Sequence, residues 1–367
     1  MATADDFAYM ARALRLAERG LYTTDPNPRV GCVIVRDDRV VGEGWHARAG
    51  EPHAEIHALR QAGEQARGAT VYVTLEPCSH HGRTPPCADA LVEAGVARVV
   101  AAMEDPNPQV SGQGLARLAA AGIEVEHGVL AVEAEALNPG FVSRMRRGRP
   151  WVRVKLAMSL DGRTAMASGE SRWITGESAR ADVHRLRARS SAMVTGIGTV
   201  LADDPRLTAR LPEDVEVLQP LRVVLDPDLR MPPTARMLES PGGVLVMTLE
   251  EAPARAQALR DAGAEVVVLP GRRGALDLEE VLRELARREI NEAMVEAGAI
   301  LAGNFVTDGL VDELILYVAP HLMGDRARGL MHLPGVERMV ERIELEIADI
   351  RAVGRDWRIT ARPVTAA

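Results

Sequence analysis

Apolar positions along the first 140 residues switch between a helical and a strand-like period. Ala8, Met10, Ala11, Leu14 and Ala17 fit a helical stripe that Gly20 closes. Two β-rich runs follow, 30–35 and 40–44, joined by Asp37-Asp38 in a hairpin pattern. The spacing then predicts a helix over 53–62, a strand over 70–75, a helix around 87–94 and a strand over 98–102. A helix near 115–121 and a strand over 123–126 complete the series. Strands separated by helices of this length predict a mostly parallel sheet covered on both faces, with a hairpin at its start.

The pattern breaks at Arg146-Arg147-Gly148-Arg149-Pro150, and a second α/β series begins beyond it. Strands are predicted over 152–156, 192–195, 222–225, 244–247, 265–269, 293–296 and 314–318, with a turn at Asp161-Gly162 and a helix over 178–189. No repeat relates the two series. The expectation is two different α/β domains, 1–146 and 151–367.

At 367 residues the chain exceeds one average core, which agrees with that division. Aromatic residues make up only 3%, so the cores must be built from Val, Leu, Ile, Ala and Met. The net charge of −8 argues against a nucleic-acid partner. The dense cationic run over 144–149 falls at the break and reads as a solvated connector. Three cysteines, Cys32, Cys78 and Cys87, make an odd set with no secretory signal before it, as expected of a protein in a reducing cytoplasm. No stretch approaches the ~20 apolar residues that cross a bilayer, so no membrane is expected.

The most specific chemistry lies in His53-Ala54-Glu55 and in P-C-S-H-H-G-R-T-P-P-C, which carries Cys78 and Cys87. One imidazole and two thiolates can hold Zn²⁺ and leave a fourth tetrahedral position for water. That is a catalytic arrangement, because structural zinc sites usually fill all four positions with protein. Glu55 can then move protons between that water and a substrate. His-x-Glu followed by Pro-Cys…Cys is the signature of zinc-dependent deaminases. Cys32 reads as a small buried hydrophobe. His57 lies one helical turn from His53, but a further protein ligand would close the position chemistry needs, so it is read as a non-ligand. His80 and His81 stay open as ligands.

Eight residues separate the two cysteines, and they carry His80, Arg83 and Thr84 beside the metal, either as a plain loop or as a clamp for a phosphate. With T-T-D-P-N-P-R-V-G-C-V-I-V before it, this segment closely resembles the bifunctional riboflavin-biosynthesis deaminase/reductases. The resemblance extends to V-K-L-A-M-S-L-D-G-R-T-A (154–165), S-G-E-S-R-W-I-T (168–175), T-G-I-G-T-V-L-A-D-D-P-R-L-T-A-R (195–210) and V-E-A-G-A-I-L-A-G (295–303). Taken singly these glycine turns are weak signals, and no clean G-x-G-x-x-G follows the first strand.

The resemblance implies an N-terminal zinc cytidine-deaminase-like three-layer domain and a C-terminal dihydrofolate-reductase-like domain that uses NADPH. The implied substrate is a pyrimidine ribosylamino phosphate, and the implied assembly a homo-oligomer. Asn27 would touch the pyrimidine or ribose, or simply cap its Pro-rich loop, and Arg83 would hold substrate. Ala157, Trp173, Thr199, Asp203 and the turn Gly298, Ala299, Ile300, Leu301, Ala302, Gly303, Asn304 would line the NADPH pocket. Ser171, Arg187, Leu207, Arg210 and Glu296 would hold the ribosylaminopyrimidine phosphate, and Lys155 would contact the ribose during hydride delivery, or stand as a strand lysine with a buried stem and an exposed head. NADPH over NADH rests on the resemblance, since no cationic cluster in the sequence marks a 2′-phosphate site. Two rivals stand beside this reading: a nucleoside or nucleic-acid deaminase with an appended domain, and a zinc-stabilised regulatory protein.

Overall fold

The computed structural model describes residues 2–79, 86–108, 110–272 and 274–364. The chain divides into two compact units, Met1–Gly148 and Arg149–Ala367.

In the first unit the helical stripe forms α1 (Ala4–Ala17), started by a Thr3–Asp6 capping box. β1 (Gly31–Arg36) and β2 (Arg39–Trp45) form the hairpin. Asp37 and Asp38 take positive φ, 48° and 59°, the left-handed pair that a two-residue hairpin turn needs. α2 (Ala54–Ala62), β3 (Thr70–Val73), α3 (Cys87–Ala94), β4 (Arg98–Ala101), α4 (Gln113–Ala120) and β5 (Glu124–His127) follow. The sheet order is β2-β1-β3-β4-β5, antiparallel around β1 and parallel from β3 to β5.

Two glycines fix the layers. A Cβ on Gly31 would lie 2.0 Å from the Ala13 carbonyl oxygen of α1, and one on Gly44 would lie 2.3 Å from the Ala54 carbonyl oxygen of α2. Gly31 pairs with Trp45, while Gly44 pairs with Cys32, so the two glycines face opposite sides of the sheet. α1 and α2 therefore cover opposite faces at backbone-contact distance, and α2 is pressed onto β2 with its first turn at the strand's end.

The cationic run over 144–149 is not a connector. It ends a helix pair, α5 (Ala131–Leu137) and α6 (Pro139–Arg147), that the apolar pattern does not announce. Pro139 opens α6, Arg144, Arg146 and Arg147 occupy its last turn, and Gly148 caps it with φ +66°. Arginines there face the negative end of the helix dipole, a placement that charge density alone reads as solvent. The Asn138 side chain, 4% exposed, exchanges two hydrogen bonds with the Arg29 backbone and ties the helix junction to the entry of β1.

The second unit runs β6 (Trp151–Ser159), β7 (Arg163–Ala165), α7 (Glu177–Arg189), β8 (Ala192–Gly196), α8 (Ile197–Asp203), β9 (Leu221–Leu225), β10 (Val244–Thr248), α9 (Pro253–Asp261) and β11 (Ala264–Val268). It continues with the small pair β12 (Gly271–Arg272) and β13 (Ala275–Leu276), then α10 (Leu278–Arg287), β14 (Glu292–Val295), α11 (Ala299–Thr307) and β15 (Glu313–Ala319). β16 (Arg328–Gly329), β17 (Leu345–Val353) and β18 (Asp356–Pro363) close it. Nine strands form one sheet in the order β11-β10-β9-β8-β14-β6-β15-β18-β17, parallel from β11 through β15 and antiparallel beyond.

Alternate residues of one strand enter different cores. Leu245 and Met247 of β10 join one cluster, Val244 and Val246 the other, and β14 splits in the same way. Both faces are thus buried, which is why these strands read as unbroken apolar runs. Among the described residues no helix is long and apolar enough to cross a membrane.

Candidate active sites

In the first unit α2 begins one residue after His53, which is its N-cap. Cys78 follows β3, and Cys87 is the first residue of α3, so its thiol stands at a helix start where a thiolate is favoured. His53 Nδ1 lies 3.6 Å from Cys78 Sγ and 3.3 Å from Cys87 Sγ, and the Cys87 N–H donates to Cys78 Sγ at 3.3 Å. The three ligand atoms all lie within 4.8 Å of one another. Tetrahedral zinc with Zn–N near 2.0 Å and Zn–S near 2.3 Å places N and S about 3.6 Å apart. The donor set and its spacing therefore fit zinc.

Glu55, in the first turn of α2, is 3% exposed and within hydrogen-bonding reach of the Cys87 thiol. Burial raises its pKa, and the charge of His53 opposes that rise. Hydrogen bonds from Cys87 and His53 hold the Cys78 thiol down at about 4, while its partner Cys87 is pushed up.

Asn27 reaches this site through a residue that sequence reasoning missed. His46 is 2% exposed, and its Nδ1 lies 3.2 Å from the Pro52 carbonyl oxygen, to which it donates. Nε2 is then free to accept from Asn27 Nδ2 at 3.0 Å. The His46 ring meets the His53 ring edge-on, with centroids 5.2 Å apart. Glu76, also missed, is 4% exposed and accepts N–H bonds from Asp105, Gly112, Gly114 and Leu115. It clamps the start of α4 against the strand end that delivers Cys78. An acidic residue two positions before a cysteine was its only sequence signal.

His57 stands outside the triad, and its Nε2 is buried. Arg83, His80 and His81 lie outside the described residues.

In the second unit a cavity of ≈ 970 Å³ opens at the carboxyl ends of β6, β8, β9 and β14. Open α/β sheets bind ligands at such ends. Ala157, Thr199, Asp203, Gly298, Ala299, Ile300, Leu301 and Asn304 line it, together with Lys155, Ser171, Arg187, Leu207 and Glu296. Gly298 is the N-cap of α11, so the first N–H groups of that helix face the space.

At its wall Glu296 takes a two-point ion pair from Arg187, 2.6 Å at Nε and 3.0 Å at Nη2, and Lys155 Nζ lies 3.5 Å away. Burial alone would raise the Glu296 pKa, but the Arg187 and Lys155 charges bring it to about 2. Arg187 and Glu296 therefore meet a ligand as one charged unit, not as separate contacts.

Four expected residues are not among those that line the cavity. Ala302 is fully buried in the core, where α11 packs on the sheet, and Gly303 lies against the backbone of His332, outside the strands. Trp173 is 69% exposed with the Arg180 guanidinium 4.7 Å above its ring. Arg210 meets His184, its Nη2 2.9 Å from Nε2. Arg230 and Arg328 line the cavity without having been expected there.

Residues 3–103 match the family described as the cytidine and deoxycytidylate deaminase zinc-binding region, and residues 150–359 match the RibD C-terminal domain. The riboflavin biosynthesis protein RibD of Escherichia coli is 55% identical over 362 residues, 96% of this chain and 97% of that protein. RibD of Bacillus amyloliquefaciens is 44% identical over 358 residues, covering 97% and 95%. The solved structure of Acinetobacter baumannii RibD superposes with a TM-score of 0.92 at 49% identity, covering 98% of this chain and 99% of that one. A Thermotoga maritima structure described as a diaminohydroxyphosphoribosylaminopyrimidine deaminase/5-amino-6-(5-phosphoribosylamino)uracil reductase gives 0.85 at 34% identity, covering 98% and 99%. With a zinc triad in one unit, a cation-walled cavity in the other and near-complete coverage of such relatives, the chain belongs to the RibD family of riboflavin-biosynthesis enzymes, a zinc-dependent deaminase fused to an NADPH-dependent reductase.

Proposed function

We propose that the unit ending at Gly148 deaminates 2,5-diamino-6-(5-phosphoribosylamino)pyrimidin-4(3H)-one, and that the unit beyond it reduces the ribosyl group of the product to ribityl. The observation that carries this reading is the His53–Cys78–Cys87 triad with a buried Glu55 beside it. His53, Cys78 and Cys87 would hold the zinc, which when bound supplies the Lewis acidity that makes water nucleophilic near neutral pH. Glu55 would take one proton from the attacking water and pass it to the ring nitrogen, then carry the hydroxyl proton of the tetrahedral adduct to the departing amine, which leaves as ammonia. Asn27, anchored through His46, faces the pyrimidine side.

In the second unit NADPH would supply the hydride, and the N–H groups at the start of α11 would hold its pyrophosphate. Lys155, Arg187 and Glu296, which line the cavity, would face the opened sugar. Ring opening gives a C1′=N imine; hydride would add to C1′ and a proton to the nitrogen, giving 5-amino-6-(5-phosphoribitylamino)uracil and NADP⁺.

An assay that follows ammonia and nicotinamide absorbance separately tests both steps in zinc-quantified protein. Ammonia should appear without NADPH, and NADPH oxidation should require the pyrimidine. Ammonia release from cytidine, with no NADPH oxidation, would favour a nucleoside deaminase. Zinc without either signal would favour a regulatory protein.

The two thiols beside each other fit a reducing compartment, the cytoplasm. Self-association completes the proposal. Strand β17 is the last strand of the nine-stranded sheet, and Ile347 and Ile350 on it are 57% and 53% exposed. Trp357 on the neighbouring strand adds a half-exposed indole. A long apolar sheet edge of this kind fits a second copy of the chain. Ile347→Lys should convert an oligomer to monomer in light scattering at micromolar concentration. An unchanged mass would remove this edge as the interface.

A further inference from the structure

We propose that Tyr317, tied down by Asp182, is a positioning residue for the reductase step. Its ring and the Glu296 carboxylate hold the Lys155 ammonium from two sides, an inference that rests on the reading that Lys155 faces the opened sugar. Lys155 is the only lysine in a chain with 44 Lys and Arg residues. The composition thus singles out the one place where a compact ammonium stands instead of a planar guanidinium. Its flexible stem loses rotamer freedom when one direction is imposed, so that direction needs supports.

The sheet order places Lys155 between two of them. β6 lies between β14, which leads to Glu296, and β15, which carries Tyr317. Lys155 pairs with Ile315 and Ala157 with Tyr317, so these four side chains share one face of the sheet. On one side Lys155 Nζ lies 3.5 Å from a Glu296 carboxylate oxygen. On the other it stands 5.9 Å from the centroid of the Tyr317 ring, within reach of a cation–π contact. The lysine side chain is 16% exposed, and such a contact strengthens as water is removed. Tyr317 is fully buried and is not among the residues that line the cavity, so it can reach the chemistry only through Lys155.

α7 fixes both supports. Arg187 in its last turn pairs with Glu296, and Asp182, earlier on the same helix, accepts the Tyr317 hydroxyl at 2.6 Å. Arg358 of β18, directly opposite Tyr317, donates to the same Asp182 oxygen at 3.1 Å. Burial and the Asp182 hydrogen bond push the phenol above its usual range, so the hydroxyl stays a donor. A ring held at its far end cannot swing away from Lys155. Packing alone accounts for a buried tyrosine. It does not account for a ring presented to the chain's one lysine, opposite the carboxylate that holds the same ammonium.

Because Lys155 is the only lysine, full-length protein labelled with ¹³C-lysine gives one lysine side-chain signal, which a neighbouring aromatic ring displaces. Tyr317→Leu should return that signal toward its unfolded-chain position. Tyr317→Phe keeps the ring and should leave the signal in place. In single turnovers with the deaminated product, Tyr317→Leu should slow NADPH oxidation about 3–30-fold, the worth of a partly desolvated cation–π contact. Tyr317→Phe should stay within about threefold of wild type, since the cation–π face remains. KM for NADPH and ammonia release should hold in both variants. An unmoved signal with an unchanged rate in Tyr317→Leu would overturn the proposal. A loss in Tyr317→Phe as large as that in Tyr317→Leu would also overturn it, since the hydroxyl would then shape the fold rather than aim the ammonium. A raised KM for NADPH would mark the same general repacking. Full reductase activity in Lys155→Met would overturn the reading of Lys155 itself, and the proposal with it.

Discussion

Glu55→Gln is expected to lower ammonia release by about 10²–10⁴-fold, the usual worth of a positioned general acid–base, while zinc content stays at one per chain. The amide keeps the volume and the hydrogen-bonding shape of a side chain that is 3% exposed at the start of α2, so the fold should tolerate it. It cannot accept and return a proton. The triad does not include Glu55, and its three ligand atoms keep their spacing without it. NADPH oxidation with the deaminated product as substrate should be unchanged, because every residue placed on that step lies beyond Arg149. The check is parallel measurement of ammonia, zinc and NADPH oxidation on one preparation. Full deaminase activity in the variant would remove Glu55 from the chemistry. Loss of zinc along with activity would mean that it supports the metal rather than the proton.

The metal site was legible because its elements are short-range. His53, Glu55, Cys78 and Cys87 sit at helix starts and a strand end that the apolar periods already mark. The hairpin was legible for a similar reason, since Asp37-Asp38 is a local turn signal. What escaped is what depends on distant partners. Nothing near Glu76 says that four N–H groups from a loop and the start of α4, 29–39 positions on, will converge on it. Nothing near Arg187 says that its partner is Glu296, 109 positions away. Ala302 and Gly303 follow lining residues in the sequence, but helical turning buries both. The arginines of α6 look like a linker because their helix carries a thin apolar stripe, and its stability comes from Pro139, Gly148 and the Asn138 tie.

Replacing Glu296 by glutamine should destabilise the second unit by about 3–5 kcal/mol, the cost of stripping one partner from a buried ion pair. Its carboxylate is 12% exposed and faces Arg187 and Lys155, themselves 15% and 16% exposed, so little water is at hand to replace it. The same group predicts a pH signature. Arg187 and Lys155 overcome the effect of burial and bring the Glu296 pKa from 4.5 to about 2, which means that the folded state favours the ionised form. A depressed folded pKa contributes stability that is fully present above the unfolded value, near 4.5, and is lost as pH falls through about 2. A shift of this size corresponds to about 3 kcal/mol, in line with the cost of removing the partner. Urea unfolding can be followed by tryptophan fluorescence, since Trp151, Trp173 and Trp357 lie in this unit and only Trp45 in the other. The stability gap between wild type and Glu296→Gln should be constant from pH 7 to about 5 and close on the way down to pH 2. A gap that is absent at neutral pH, or that persists unchanged at pH 2, would show that the Glu296 charge does not hold Arg187 and Lys155 at the cavity wall.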